Sequence, residues 1–91
     1  MPVLDLDRGW DLNPQVSVRP EPFGALLYHF GTRRLSFLKD RVLLTVVQAL
    51  AESPTARAAC SSAGVSDSDL PRYQRALATL AQSSTVIERT E

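Results

Sequence analysis

The spacing of apolar and polar residues changes character near Asp40. Before it the period is two. Gln15-Val16-Ser17-Val18-Arg19 alternates polar and apolar side chains, the pattern of a half-buried strand. Pro20-Glu21-Pro22 predicts its end, because proline donates no ladder hydrogen bond. Phe23 to Phe30 is a second β-prone run, with Tyr28 inside it. Gly31-Thr32 suits a two-residue hairpin turn, and Arg34 to Lys39 reads as a third strand. With that loop, Phe30 opposes Arg33, Tyr28 opposes Leu35 and Leu26 opposes Phe37. Opposed residues share a face. Leu26, Tyr28, Leu35 and Phe37 are therefore expected to form one apolar patch on the core face, with His29, Arg34 and Ser36 on the other.

After Asp40 the period lengthens. Asp40 is a good N-cap for a helix from Arg41 to about Glu52, and Leu43, Leu44, Val46, Val47 and Leu50 give that helix a broad apolar stripe. Ser53-Pro54 predicts a restart, serine as cap and proline in the first turn. The second helix then runs to about Ala63, where Gly64 supplies a left-handed stop. Ser66 to Asp69 opens a third helix, in which Pro71 is tolerable only near the start. Leu70, Tyr73, Leu77 and Leu80 recur at steps of three and four and mark its buried face. Val86-Ile87 is a short strand or an irregular tail. Strands followed by helices imply an α+β domain: a three-stranded antiparallel β-sheet followed by a three-helix bundle. Residues 1–9 show no period and are expected to be a flexible arm pinned by Trp10, leaving 10–91 as the domain.

Length and charge narrow the function. A chain of 91 residues holds one small domain. Ten Lys/Arg balance ten Asp/Glu, so no net charge draws the protein to nucleic acid or to an anionic membrane. The longest apolar run, Val42 to Val47, is broken by Thr45, far short of the ~20 residues of a bilayer crossing. The amino terminus lacks the basic and apolar segments of a signal peptide. Cys60 is the only cysteine, which excludes an internal disulfide. A cytoplasmic location is expected.

Candidate chemistry is sparse. The chain has no Gly-rich phosphate loop, no Cys-x-x-Cys, no His pair at metal spacing and no Ser/His/Asp set. No enzyme activity, cofactor or metal site is expected. His29 reads as a half-exposed surface residue and Cys60 as a small packed thiol. Asp67 and Asp69 suit the positive end of a helix dipole.

One block is more specific. Tyr28-His29-Phe30-Gly31-Thr32-Arg33-Arg34-Leu35-Ser36-Phe37-Leu38 combines a turn, a basic pair and an aromatic strand. With Pro14, Val16, Arg19, Phe23-Gly24 and Leu26-Leu27, and a three-helix tail, it resembles the PqqD-like family, over roughly residues 10–88. These are the RiPP recognition elements, winged-helix-like domains that bind leader peptides. Within that family the resemblance is nearest to the chaperones of mycofactocin biosynthesis. It implies that the leader of a ribosomally made precursor adds as a strand beside the third strand, in a groove shared with the third helix. It further implies delivery to a radical SAM maturase, which holds the iron–sulfur cluster, since this chain lacks the clustered cysteines a cluster needs.

Under that resemblance the peptide-binding residues are Arg33, Arg34, Leu35, Ser36, Phe37, Leu38 and Lys39 on the third strand. Leu70, Tyr73, Gln74 and Leu77 form the facing helix, Tyr73 exposing a ring edge to the groove. An edge strand offers unpaired N–H and C=O groups to a guest. Arg33, Arg34, Lys39, Arg72 and Arg75 would steer an acidic leader. The rival reading is a winged-helix DNA-binding regulator, with Ala56 to Leu80 as helix-turn-helix. A neutral chain whose reading helix opens on Asp67 and Asp69 fits it poorly, since phosphate contacts dominate DNA affinity.

Overall fold

A computed structural model describes residues 4–89. Its elements are β1 (Trp10–Leu12), β2 (Val16–Glu21), β3 (Gly24–His29), β4 (Arg34–Leu38), α1 (Arg41–Ala49), α2 (Ala56–Ser62), α3 (Leu70–Gln82) and β5 (Val86–Glu88). A 3-10 turn over Leu50–Glu52 prolongs α1. Strands β2, β3 and β4 form an antiparallel three-stranded sheet in that order, and β1 and β5 form a separate two-stranded ribbon. The domain is α+β, but strands flank the helices on both sides: β1 and β5 come from the two ends of the chain.

The expected register holds, since Tyr28 opposes Leu35 and Leu26 opposes Phe37. The loop that closes it differs. The ladder ends at His29 opposite Arg34, leaving the four residues Phe30–Arg33 as the turn, with Arg33 in the left-handed region (φ 59). His29 is the reason. Its Nδ1 accepts the amides of Gly31 (3.0 Å) and Thr32 (3.2 Å), while its carbonyl accepts the amide of Arg33 at 2.7 Å. Phe30 turns instead to β2 and donates to the Gln15 carbonyl. His29 is thus buried, not half-exposed, and serves as the inner bracket of the hairpin.

The expected core face is inverted. Val16, Ala25, Leu27 and Leu38 are buried, whereas Leu35 and Phe37 are exposed and Leu26 and Tyr28 only partly covered. The ladder sets Val16 beside His29 and Val18 beside Leu27, and that row meets α1. The core continues through Leu43, Val46, Val47, Leu50, Ala59, Leu77 and Leu80. β2 also runs through Pro20 to Glu21 instead of stopping before it, and Pro22-Phe23 makes the tight turn into Gly24. A Cβ on Gly24, whose φ is +148°, would overlap the Leu38 carbonyl oxygen, so glycine lets the start of β3 close against the end of β4.

The helices follow their caps. The Asp40 carboxylate accepts the amides of Val42 (2.8 Å) and Leu43 (3.3 Å) at the start of α1. α2 starts two residues later than expected, with Thr55 as cap. The Ser53 hydroxyl is not free to cap it, because it donates back to the Ala49 carbonyl at 2.8 Å. Gly64 has φ 87° and ends α2, and Pro71 lies in the first turn of α3. Cys60 is buried, and burial pushes its thiol pKa up.

The amino-terminal segment packs over its described part, residues 4–9, and is not loose there. Leu4 and Leu6 enter the core. The carbonyls of Leu6 and Arg8 accept amides of Arg57 and Ala56, and Trp10 Nε1 donates to the Asp5 carbonyl at 3.0 Å. At the other end Arg89 ties the ribbon down. Its guanidinium donates to both Asp11 carboxylate oxygens and to the carbonyls of Trp10, Leu50 and Ser53.

Candidate functional site

Two borders of the three-stranded sheet lie at β2 and β4, and they differ in chemistry. In an antiparallel ladder the N–H and C=O of successive residues point alternately to either side. Phe30 donates toward β2, so Tyr28 and Leu26 also bond β2, and His29, Leu27 and Ala25 bond β4. Their partners Ser36 and Leu38 spend their backbone groups inward, and the Arg34 amide donates to the Thr32 hydroxyl at 3.3 Å. Leu35 and Phe37 therefore turn theirs outward, where no partner strand exists among the described residues. On β2 the outward positions are Val16, Val18 and Pro20. Val16 N–H is already taken by the Asn13 carbonyl (2.9 Å), and Pro20 has no N–H. One border is open and the other largely sealed.

Leu35 and Phe37 also present their side chains to the outer face of the sheet, at 52% and 57% exposure. Phe30, 61% exposed, stands edge-on to Tyr28 with centroids 5.0 Å apart. Around this apolar strip Arg33, Arg34, Lys39 and Arg41 are exposed and carry no ion pair among the described residues. Nearby acids are engaged: Glu21 pairs with Arg19 at 2.8 Å, and Asp40 binds α1 and Tyr73. The surface beside β4 is apolar with a cationic rim.

Just past the end of β4, Asp40 is tied to α3 by a hydrogen bond that the Tyr73 hydroxyl donates to Asp40 Oδ2 at 2.7 Å. Burial, then the adjoining Asp40 carboxylate, raises the Tyr73 pKa. For Asp40 burial alone would raise the pKa, but the Tyr73 hydroxyl, the Val42 and Leu43 amides and the nearby Arg72 charge outweigh it and hold the carboxyl below its ordinary value. Arg72 lies over the Tyr73 ring at 5.0 Å.

The sequence-predicted residues divide accordingly. Arg33, Arg34, Leu35, Phe37 and Lys39 are exposed on or beside the open border, and Ser36 is partly exposed. Leu38, Tyr73 and Leu77 are buried in the core, so the Tyr73 ring edge expected at a groove is not exposed. Leu70 is partly covered. Gln74 spends its amide on the Leu4 carbonyl at 2.7 Å. It sits about 160° around the helix from Arg72, so it faces the amino-terminal segment, and Arg72 holds the side nearer Asp40. Sequence reasoning missed Asp40 as the brace and Leu26, Tyr28 and Phe30 as outer-face residues. The alternation of β2, Val16 and Val18 against Ser17 and Arg19, carried the signal for that face. Among the described residues no His, Cys, Asp or Glu group converges on a metal position, and no helix is long and apolar enough to cross a membrane.

Comparison with known proteins matches residues 9–87 to the model of the Peptide chaperone MftB family. The Mycobacterium tuberculosis protein named Peptide chaperone MftB is 62% identical over 86 residues, which is 94% of this chain and 79% of that relative. Its namesakes from Mycobacterium ulcerans and Mycolicibacterium smegmatis are 60% and 55% identical over 84 residues, 92% of this chain in each case and 77% and 82% of theirs. No solved structure matches the chain. A match over nearly the whole length, spanning the sheet, the helices and the open β4 border, places this protein in the MftB family of peptide chaperones.

Proposed function

We propose that this chain binds the leader of a ribosomally made precursor peptide by β-strand addition along β4. It then delivers that leader to a radical SAM maturase in mycofactocin biosynthesis. The role is that of a chaperone, without catalysis. The observation that carries the reading is the outward N–H and C=O of Leu35 and Phe37, set against a β2 border that Pro20 and Asn13 seal. Main-chain bonds supply sequence-tolerant affinity, and side-chain contacts add selectivity. The cations Arg33, Arg34 and Lys39, without an ion pair among the described residues, suit an acidic leader and speed its encounter. Leu70 and Arg72 bound the helical side of the groove, with Leu38, Tyr73 and Leu77 holding it from beneath. The sheet backed by three helices fits a winged-helix-like RiPP recognition element. The lone buried thiol of Cys60 suits the reducing cytoplasm, to which we assign the protein.

Titration with synthetic leader tests this. Affinity on the order of micromolar or better is expected for such a strand addition, with slowed hydrogen exchange at the Leu35 and Phe37 amides. Phe37→Pro removes one outward donor and should abolish binding in a protein that still folds. Full affinity in that variant defeats the reading. Duplex DNA titrated at low salt should show no binding of consequence, consistent with a zero net charge.

A further inference from the structure

The outer face of the sheet is graded. Reading across the ladder from β2 to β4, its rows are Ser17–Tyr28–Leu35 and Arg19–Leu26–Phe37, with Glu21 and Gly24 ahead of Lys39. The face is polar along the sealed border and apolar along the open one. Were this face simply solvated, its large apolar side chains would have no reason to gather at β4. Were it covered by a broad partner, Ser17, Arg19 and the Arg19–Glu21 ion pair would lie under the same cover. The gradient points to an occupant that reaches the face from the β4 side only.

Resting on the strand-addition reading, we propose that the outer face selects the guest by its side chains. The bound peptide is acidic and carries two apolar residues two positions apart, which lie over Leu35 and Phe37. The geometry follows from the ladder. Residues paired directly across an antiparallel edge share a face, so guest residues opposite Leu35 and Phe37 point to the outer side and extend the two apolar rows. The next guest residue of that face meets Lys39, and the groove-side residue near the hairpin meets Arg34; both positions favour carboxylates. The intervening guest residue, opposite Ser36, faces inward. The occupant is thus an extended strand with apolar residues at alternate outer positions and acidic residues at its flanks.

The test uses Leu35→Thr, Phe37→Thr and the double variant in the full chain, titrated with synthetic precursor leader and with leader peptides in which each apolar residue in turn is serine. Threonine keeps the edge N–H and the strand preference, and both positions are exposed, so unchanged melting temperatures check the fold. Each single variant should bind leader a few-fold more weakly. The double variant should bind about ten-fold more weakly, two cross-strand pairs of ~0.7 kcal/mol each being lost. Serine at two leader positions spaced by two should lose affinity with wild type but little more with the double variant. Wild-type affinity in the double variant, with the amides at positions 35 and 37 still protected by peptide, overturns this inference and leaves strand addition standing. That result, with loss of the maturase complex alone, would assign the face to the enzyme. Absence of amide protection in the wild type brings down both.

Discussion

Replacing Tyr73 by phenylalanine isolates the hydrogen bond between α3 and Asp40, just past the end of β4. The ring and its packing stay; the hydroxyl donated to Asp40 at 2.7 Å goes. A hydrogen bond to a charged acceptor contributes roughly 1.5–3 kcal/mol. Asp40 keeps the amides of Val42 and Leu43, and water can reach its partly exposed carboxylate, so a loss of about 1–2 kcal/mol is expected at neutral pH. For a domain of this size that lowers the melting temperature by roughly 4–15 °C, well within reach of a urea or thermal titration followed by circular dichroism. The pH profile gives an independent reading. The folded Asp40 carboxyl is held below its ordinary value, so its contribution is present above the unfolded value of about 3.9 and disappears as pH falls through the lower folded one. The Tyr73 hydroxyl is shifted up, so its contribution is present below about 10 and disappears as pH rises beyond that. The variant should flatten the acid decline and shrink the alkaline one, and should bind leader a few-fold more weakly because α3 is no longer braced to β4. Equal urea midpoints and superimposable pH profiles would refute the brace.

Three further outcomes follow from the geometry. Gly24→Ala should cost about 2–4 kcal/mol through backbone strain and overlap with the Leu38 carbonyl; a variant with the wild-type urea midpoint contradicts the close approach of β3 and β4. Arg89→Met leaves Asp11 and three carbonyls short of donors and should cost about 2–4 kcal/mol, with hydrogen exchange rising first in β1 and β5; unaltered protection there would remove Arg89 as the tie. Reversing Arg33 and Arg34 to glutamate should slow leader association several-fold at low salt and weaken its salt dependence, measured by stopped-flow fluorescence, whereas an unchanged on-rate removes the cationic rim from the account.

The sequence made the strand pairs legible because the hairpin is short. Two-residue and four-residue turns centred on Gly31-Thr32 impose the same pairing, so the register survived a mistaken loop length. What the third strand alone could not reveal was which side faces inward. Both faces of β3 and β4 carry apolar residues, and the larger ones, Leu26, Tyr28, Leu35 and Phe37, lie outside. The deciding pattern sat on β2, where Val16 and Val18 alternate with Ser17 and Arg19; reading across from it sets Leu27 and His29 inward. His29 escaped notice because a buried imidazole that accepts two turn amides has no local signature. β1 was hidden for another reason: it has three residues, too few for a period, and its partner is the distant β5, the short strand that Val86-Ile87 offered as one of two readings. Helix starts were clearer, since Asp40, Gly64 and Pro71 act through local backbone chemistry. Only Ser53 misled, its hydroxyl being drawn back to Ala49.

The proline in β2 limits how far this molecule can assemble. A sheet that accepts a new neighbour on one flank alone can be lengthened once and then stops. Two copies meeting through β4 would close into a pair whose three-stranded sheets keep only the largely sealed, Pro20-bearing flanks, which disfavours growth of these sheets edge to edge into a fibre. On the proposed strand addition, self-association and cargo would compete for the same seat, and each molecule would carry one passenger at a time.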